Sequence, residues 1–95
     1  MLIPDFTPGF ARDRKRCSKK HWPLDALDAA IAAVIASDDE PMPPTFNDHG
    51  LTGDMNDYRE LHINGPRSNW IMLSVISLDR VIFVRTGTHS EVLRR

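Results

Sequence analysis

Asn69-Trp70-Ile71-Met72-Leu73-Ser74-Val75-Ile76-Ser77-Leu78-Asp79-Arg80-Val81-Ile82-Phe83-Val84-Arg85-Thr86 decides the fold. Two runs rich in β-branched and aromatic residues flank a turn at Leu78-Asp79. That turn is short enough for a hairpin, so strands over 69–77 and 80–86 are expected to run antiparallel. A third strand is expected over 56–63, joined through the longer turn Gly65-Pro66-Arg67-Ser68. Upstream of the exposed connector Asp38-Asp39-Glu40-Pro41-Met42-Pro43-Pro44 the period changes from 2 to 3.6. Leu24, Leu27, Ile31 and Val34 predict a helix over about 23–37, with Asp25 and Asp28 in the first turn, where the helix dipole favours acids. Thr7-Pro8 is a helix start signal for a basic helix over 8–20, anchored on one face by Phe10 and Cys17 and broken by His21-Trp22-Pro23. Met1 to Phe6 suits a short first strand. The expectation is a single α+β domain over residues 1–95, a helical hairpin packed on one face of an antiparallel β-sheet.

Ninety-five residues with 41% hydrophobic and 26% charged side chains can build one core without staples. Cys17 is the only cysteine, which excludes an internal disulfide and suggests the cytoplasm. The apolar stretch from Leu24 to Ala36 is too short for a membrane span and carries Asp25 and Asp28, so no membrane association is expected. The net charge of -1 hides a segregation: residues 1–21 balance at +4, residues 22–58 at -8 with no Lys or Arg, and residues 59–95 at +3. A polyanion can meet the first and last segments if folding places them together, with Arg12, Arg14, Lys15, Arg16, Lys19 and Lys20 as the contacting cations. A solvated helix face accounts for the same run equally simply.

His49, His62, His89 and Arg85 are the parts needed to cleave RNA without a metal. One imidazole takes a proton from the ribose 2′-OH, another returns one to the leaving 5′-oxygen, and a cation holds the charge that develops on phosphorus. Alternation over Tyr58 to Ile63 directs Leu61 and Ile63 to the core and Tyr58, Glu60 and His62 to the open face. In the last strand Ile82 and Val84 are expected in the core, with Arg85 facing out beside His62. A second role is open to Thr88 or Ser90, which could simply start a short helix over 91–93, and Asp48-His49 is either an oriented base or a solvated pair. The histidine spacings, 13 and 27, match no short-range zinc pattern, so neither metal nor other cofactor is expected.

Asn47-Asp48-His49-Gly50-Leu51-Thr52-Gly53, Tyr58-Arg59-Glu60-Leu61-His62-Ile63, Trp70-Ile71-Met72-Leu73 and Arg85-Thr86-Gly87-Thr88-His89-Ser90 together resemble the YafQ family, toxins of type II toxin–antitoxin systems within the RelE superfamily of ribosome-dependent mRNA interferases. The resemblance implies a helical hairpin on an antiparallel sheet and cleavage of mRNA in the ribosomal A site. It places the family's histidines on His49, His62 and His89, its arginine on Arg85, and RNA contact on Trp70. In that scheme His62 is the base, supported by His49; His89 is the acid and Arg85 the transition-state cation, with base and acid exchangeable. A ribbon-helix-helix antitoxin is the implied partner. Three features depart from the family pattern: Asn69 stands where an acid usually precedes the tryptophan, Leu93 replaces a late aromatic, and the chain is not basic overall. They keep open an alternative, a weakened toxin fold acting as an antitoxin-binding or corepressor module.

Overall fold

The structure, a computed structural model, describes residues 1–93. In chain order the elements are β1 (Ile3–Phe6), α1 (Pro8–Lys19), α2 (Leu24–Ile35), β2 (His49–Gly50), β3 (Arg59–His62), β4 (Trp70–Ser77), β5 (Arg80–Thr88) and α3 (His89–Val92), with short 3-10 turns at Pro44–Phe46 and Gly53–Met55. The five strands form one sheet in the order β1-β5-β4-β3-β2. The β4–β5 hairpin, the third strand and the two helices lie where the periodicity places them, and α3 is the short final helix that Thr88 starts.

The sheet is mixed, not antiparallel. β1 runs parallel to β5, with Ile3 opposite Arg80 and Phe6 opposite Phe83. A parallel pair needs a long crossover, and everything between residues 7 and 79 supplies it. Thr7 fixes the start of α1: its hydroxyl oxygen accepts from the Phe10 N–H at 3.0 Å and its O–H donates to the Val84 carbonyl at 2.7 Å. The cap that begins the helix therefore also pins it to β5.

Phe10, Cys17, Leu27, Ala30 and Val34 of the helices pack with Leu61, Ile63, Trp70, Met72, Val81 and Phe83 of the sheet. Phe6, Phe10 and Phe83 form an aromatic group with ring centroids 5.0 to 5.9 Å apart. The expected alternation in β5 is inverted at its start. Val81 and Phe83 are fully buried, whereas Ile82 is 38% exposed. Between β4 and β5 the register shifts, Ser74 facing Phe83 and Leu73 facing Arg85, so Val84 is an extra residue. This bulge reverses the parity of the later residues of β5 and turns Arg85 to the side of Leu73, Glu60 and His62. Among the described residues no helix is long and apolar enough to cross a membrane.

Candidate active site

Register brings the histidines together from three separate elements. His49 in β2 pairs with Glu60 in β3, and His62 lies two residues further along the same face of β3. His89 is the first residue of α3, which folds back because Gly87 has φ 154° and no side chain: a Cβ there would lie 2.9 Å from Glu91 Oε1 and 3.2 Å from Val92 Cγ2.

All three imidazoles converge on one carboxylate. Glu60 Oε2 lies 2.9 Å from His49 Nε2 and 3.3 Å from His62 Nε2, and Oε1 lies 3.2 Å from His89 Nε2. Each opposite ring nitrogen meets an oxygen. His49 Nδ1 is 2.8 Å from the Asn47 carbonyl, His62 Nδ1 is 2.9 Å from the Ser68 carbonyl, and His89 Nδ1 is 2.8 Å from Asn69 Oδ1. A carbonyl oxygen only accepts, so Nδ1 of His49 and of His62 carries a proton. The amide of Asn69 is oriented the same way, because its Oδ1 also accepts from the His89 backbone N–H at 3.4 Å. Nε2 is therefore the nitrogen that gains and loses protons. Facing a carboxylate, Nε2 makes a favourable hydrogen bond only when it carries the proton. Glu60 is 5% exposed; the side chains of His49 and His89 are 42% exposed and that of His62 is 11% exposed.

The sequence placed Glu60 and His62 on one face but did not show Glu60 as the point of convergence. Asn69, which departs from the family's acid, does its orienting with a neutral amide oxygen. The ligand atoms of His49, Glu60 and His62 also lie within 4.8 Å of one another, the donor set of a metal site. Sequence spacing could not show this, because the fold rather than a short motif makes the cluster.

Three expected groups stand apart from the histidine cluster. Arg85 does not join the histidines. Its Nε and Nη2 bind Asp13 Oδ2 and Oδ1 at 2.6 and 3.1 Å, and it lines a separate hollow of about 410 Å³ with Arg16, Glu91 and Val92. These bonds raise the Arg85 pKa further above its ordinary value, the Asp13 hydrogen bond being the main cause. Asp13 itself is 2% exposed and also accepts from the Thr86 N–H at 3.0 Å. The sequence signal for it was its place between Phe10 and Cys17, on the apolar stripe of a helix where an acid needs a partner. Trp70, expected on RNA, is 5% exposed, because its indole N–H donates to Thr86 Oγ1 at 2.9 Å and its ring lies 4.9 Å from that of Trp22. The basic run is half engaged within the protein: Arg14 pairs with Asp28, Arg16 with Asp13 and Glu91, and Lys20 with Glu91. Among the described residues Arg12, Lys15 and Lys19 form no salt bridge and are exposed.

Glu91 clamps the helix that carries His89. Its Oε1 accepts from the Thr88 N–H at 2.9 Å, Thr88 Oγ1 accepts from the Glu91 N–H at 3.2 Å, and Oε2 meets Lys20 Nζ at 3.0 Å. The Glu91 pKa falls from 4.5 to about 2, first through the Thr88 backbone bond and then through Lys20. A depressed carboxylate stabilises the fold above its unfolded pKa, and the contribution disappears as pH drops through the folded one. Urea midpoints should therefore fall between pH 4.5 and pH 2. Glu91→Gln should flatten that part of the profile; an unchanged profile would remove Glu91 from the clamp.

The family described as the bacterial YafQ toxin of type II toxin–antitoxin systems matches residues 3–94. The mRNA interferase toxin YafQ of Escherichia coli K12 is 27% identical over 88 residues, covering 93% of this chain and 91% of that protein. The fold superposes on YafQ in the crystal structure of the E. coli DinJ–YafQ complex with a TM-score of 0.83 at 25% identity, covering 97% of this chain and 98% of that one. A copper-bound mutant toxin from Helicobacter pylori gives a TM-score of 0.84 at 26% identity, over 97% of this chain and 99% of that one. With the fold, the ordered motifs and the family match in agreement, this chain belongs to the YafQ family of type II toxin–antitoxin toxins.

Proposed function

We propose that this protein is an mRNA interferase that cleaves RNA by attack of a ribose 2′-OH on the adjacent phosphate, acts on ribosome-bound mRNA, and is silenced by a cognate antitoxin. The observation that carries the reading is the convergence of His49, His62 and His89 through Nε2 on the buried carboxylate of Glu60. The names of the E. coli relatives and the DinJ–YafQ complex support the substrate and the antitoxin partner.

Exposure divides the roles. A proton-transfer group must come within hydrogen-bond reach of the RNA, and His49 and His89 have the access that His62 lacks. We assign the base to His49 and the acid to His89. They occupy different carboxylate oxygens of Glu60, so they approach the phosphate from different sides. The 2′-OH proton passes to His49 Nε2 as the 2′-oxygen bonds to phosphorus. The P–O5′ bond breaks as His89 Nε2 protonates the leaving oxygen, giving a 2′,3′-cyclic phosphate and a 5′-hydroxyl. His62, buried with its Nδ1–H held by the Ser68 carbonyl, stands beside the phosphate in the place first given to Arg85. Arg12, Lys15 and Lys19 are the free cations available for ribosomal RNA. The antitoxin is of the ribbon-helix-helix type in this reading.

The test incubates purified protein and His89→Ala with a defined mRNA, with and without programmed ribosomes, and maps both cut ends. Ribosome-dependent cleavage with cyclic-phosphate ends, lost in the variant, is the expected result. Cleavage of free RNA at the same rate would overturn ribosome dependence. No cleavage by a folded protein that binds its antitoxin would leave the non-enzymatic binding module as the function.

A further inference from the structure

A second hollow, of about 280 Å³, opens at the end of the sheet and is lined by Trp22, Pro23, Asn64, Ser68, Asn69, Trp70 and Thr88. We propose that it holds a nucleobase of the RNA flanking the cleaved bond, and so helps set which codons are cut. This inference rests on the RNA-cleaving function proposed above.

The hollow adjoins the histidine cluster through shared residues. The Ser68 carbonyl on its wall accepts from His62, Asn69 Oδ1 accepts from His89, and Thr88 immediately precedes His89. An RNA strand with its phosphate among the histidines therefore has a neighbouring base beside this opening. Its apolar wall is two indoles and a proline, with Trp22 tilted against Trp70 at 4.9 Å between centroids. Its rim is amide. Asn64 is exposed in a left-handed turn at φ 66°, and no hydrogen bond engages its side chain among the described residues. Asn69 uses its oxygen on His89, which leaves its NH2 group available as a donor. Lys20 Nζ, which also pairs with Glu91, lies 4.5 Å from the centroid of the Trp22 ring on that wall. An aromatic wall, amide donors and acceptors at the rim, and a nearby cation for the phosphate are the elements by which proteins hold unstacked RNA bases. An aliphatic ligand would leave the amides without use, and a bare anion would leave the indoles without use.

Trp22 and Trp70 are the only tryptophans of the chain, so fluorescence excited selectively at tryptophan comes from two side chains that line this hollow. The experiment titrates the wild type, Trp22→Leu and Asn64→Ala with AMP, GMP, CMP and UMP, with ribose 5-phosphate as the base-free control. The expected result is saturable quenching by at least one nucleotide and none by ribose phosphate. Affinity should fall by roughly fivefold or more in Asn64→Ala. Trp22→Leu, followed through the remaining Trp70, should lose the signal. Equal responses to all five ligands would assign the hollow to phosphate and overturn the base. No response by the folded wild type would overturn the site while leaving the cleavage reading intact. On programmed ribosomes Asn64→Ala should redistribute cut positions among codons with unchanged cyclic-phosphate ends; an unaltered distribution would also overturn the proposal.

Discussion

Replacing Glu60 with glutamine is expected to slow RNA cleavage by roughly 10²-fold or more, as loss of an acid–base arrangement does, while the protein stays folded. Glutamine keeps the volume but exchanges one carboxylate oxygen for an NH2 donor. Of the three Nε2 contacts at 2.9, 3.3 and 3.2 Å, those that meet the NH2 group become donor against donor. The negative charge at the centre of the cluster is lost with it. Glu60 lies behind the exposed imidazoles, so in the proposed reaction it positions them rather than touching RNA. Two readouts separate this from a merely structural effect. The rate–pH profile of Glu60→Gln should be displaced from that of the wild type, and Glu60→Asp, one methylene shorter, should recover part of the rate. Wild-type rates in Glu60→Gln would show that the convergence on this carboxylate is incidental to catalysis.

Asp13→Ala should lower stability by about 3 kcal/mol, toward the lower end of the cost of breaking a buried ion pair because Arg85 is partly hydrated. The carboxylate satisfies Arg85 twice and the Thr86 N–H once, and it holds Arg16 Nη2 at 3.0 Å. Removing it orphans a donor of β5 next to the bulge and leaves two guanidiniums facing each other across the gap. Asp13→Asn retains an acceptor without the charge and should fall between wild type and alanine. Chemical denaturation with unchanged m-values measures both. A loss below about 1 kcal/mol, the range of an exposed ion pair, would mean that α1 is held to β5 by its apolar face alone.

The fold was legible where patterns are local. The helical spacing of Leu24, Leu27, Ile31 and Val34, the cap at Thr7, and the hairpin at Leu78-Asp79 each depend on neighbours within one or two turns of chain. The parallel docking of β1 depends on residues far along the chain, and no period in residues 1–6 announces it. The bulge at Val84 is equally silent. It reverses which side of β5 faces the helices, so alternation counted back from Arg85 pointed to Ile82 and Val84 where Val81 and Phe83 belong. For the site, the histidines were visible as residue types suited to proton transfer. Their meeting at Glu60 needed the β2–β3 register and the turn at Gly87. Arg85 and Trp70 illustrate the converse. Neither side chain projects freely: Arg85 is held by Asp13, and Trp70 by Thr86 and Trp22.

The pairing of β1 with β5 also bears on when the protein acquires its shape. Ile3 to Phe6 find their partners only at Arg80 to Phe83, so the edge of the sheet cannot close until translation has passed that point. Contacts of such long sequence separation are slow to form, because a large loop must be ordered before any of them is made. His89, the proposed acid, is added later still. On the proposed function, a copy under synthesis therefore lacks both its closed sheet edge and its acid until β5 and α3 have been made.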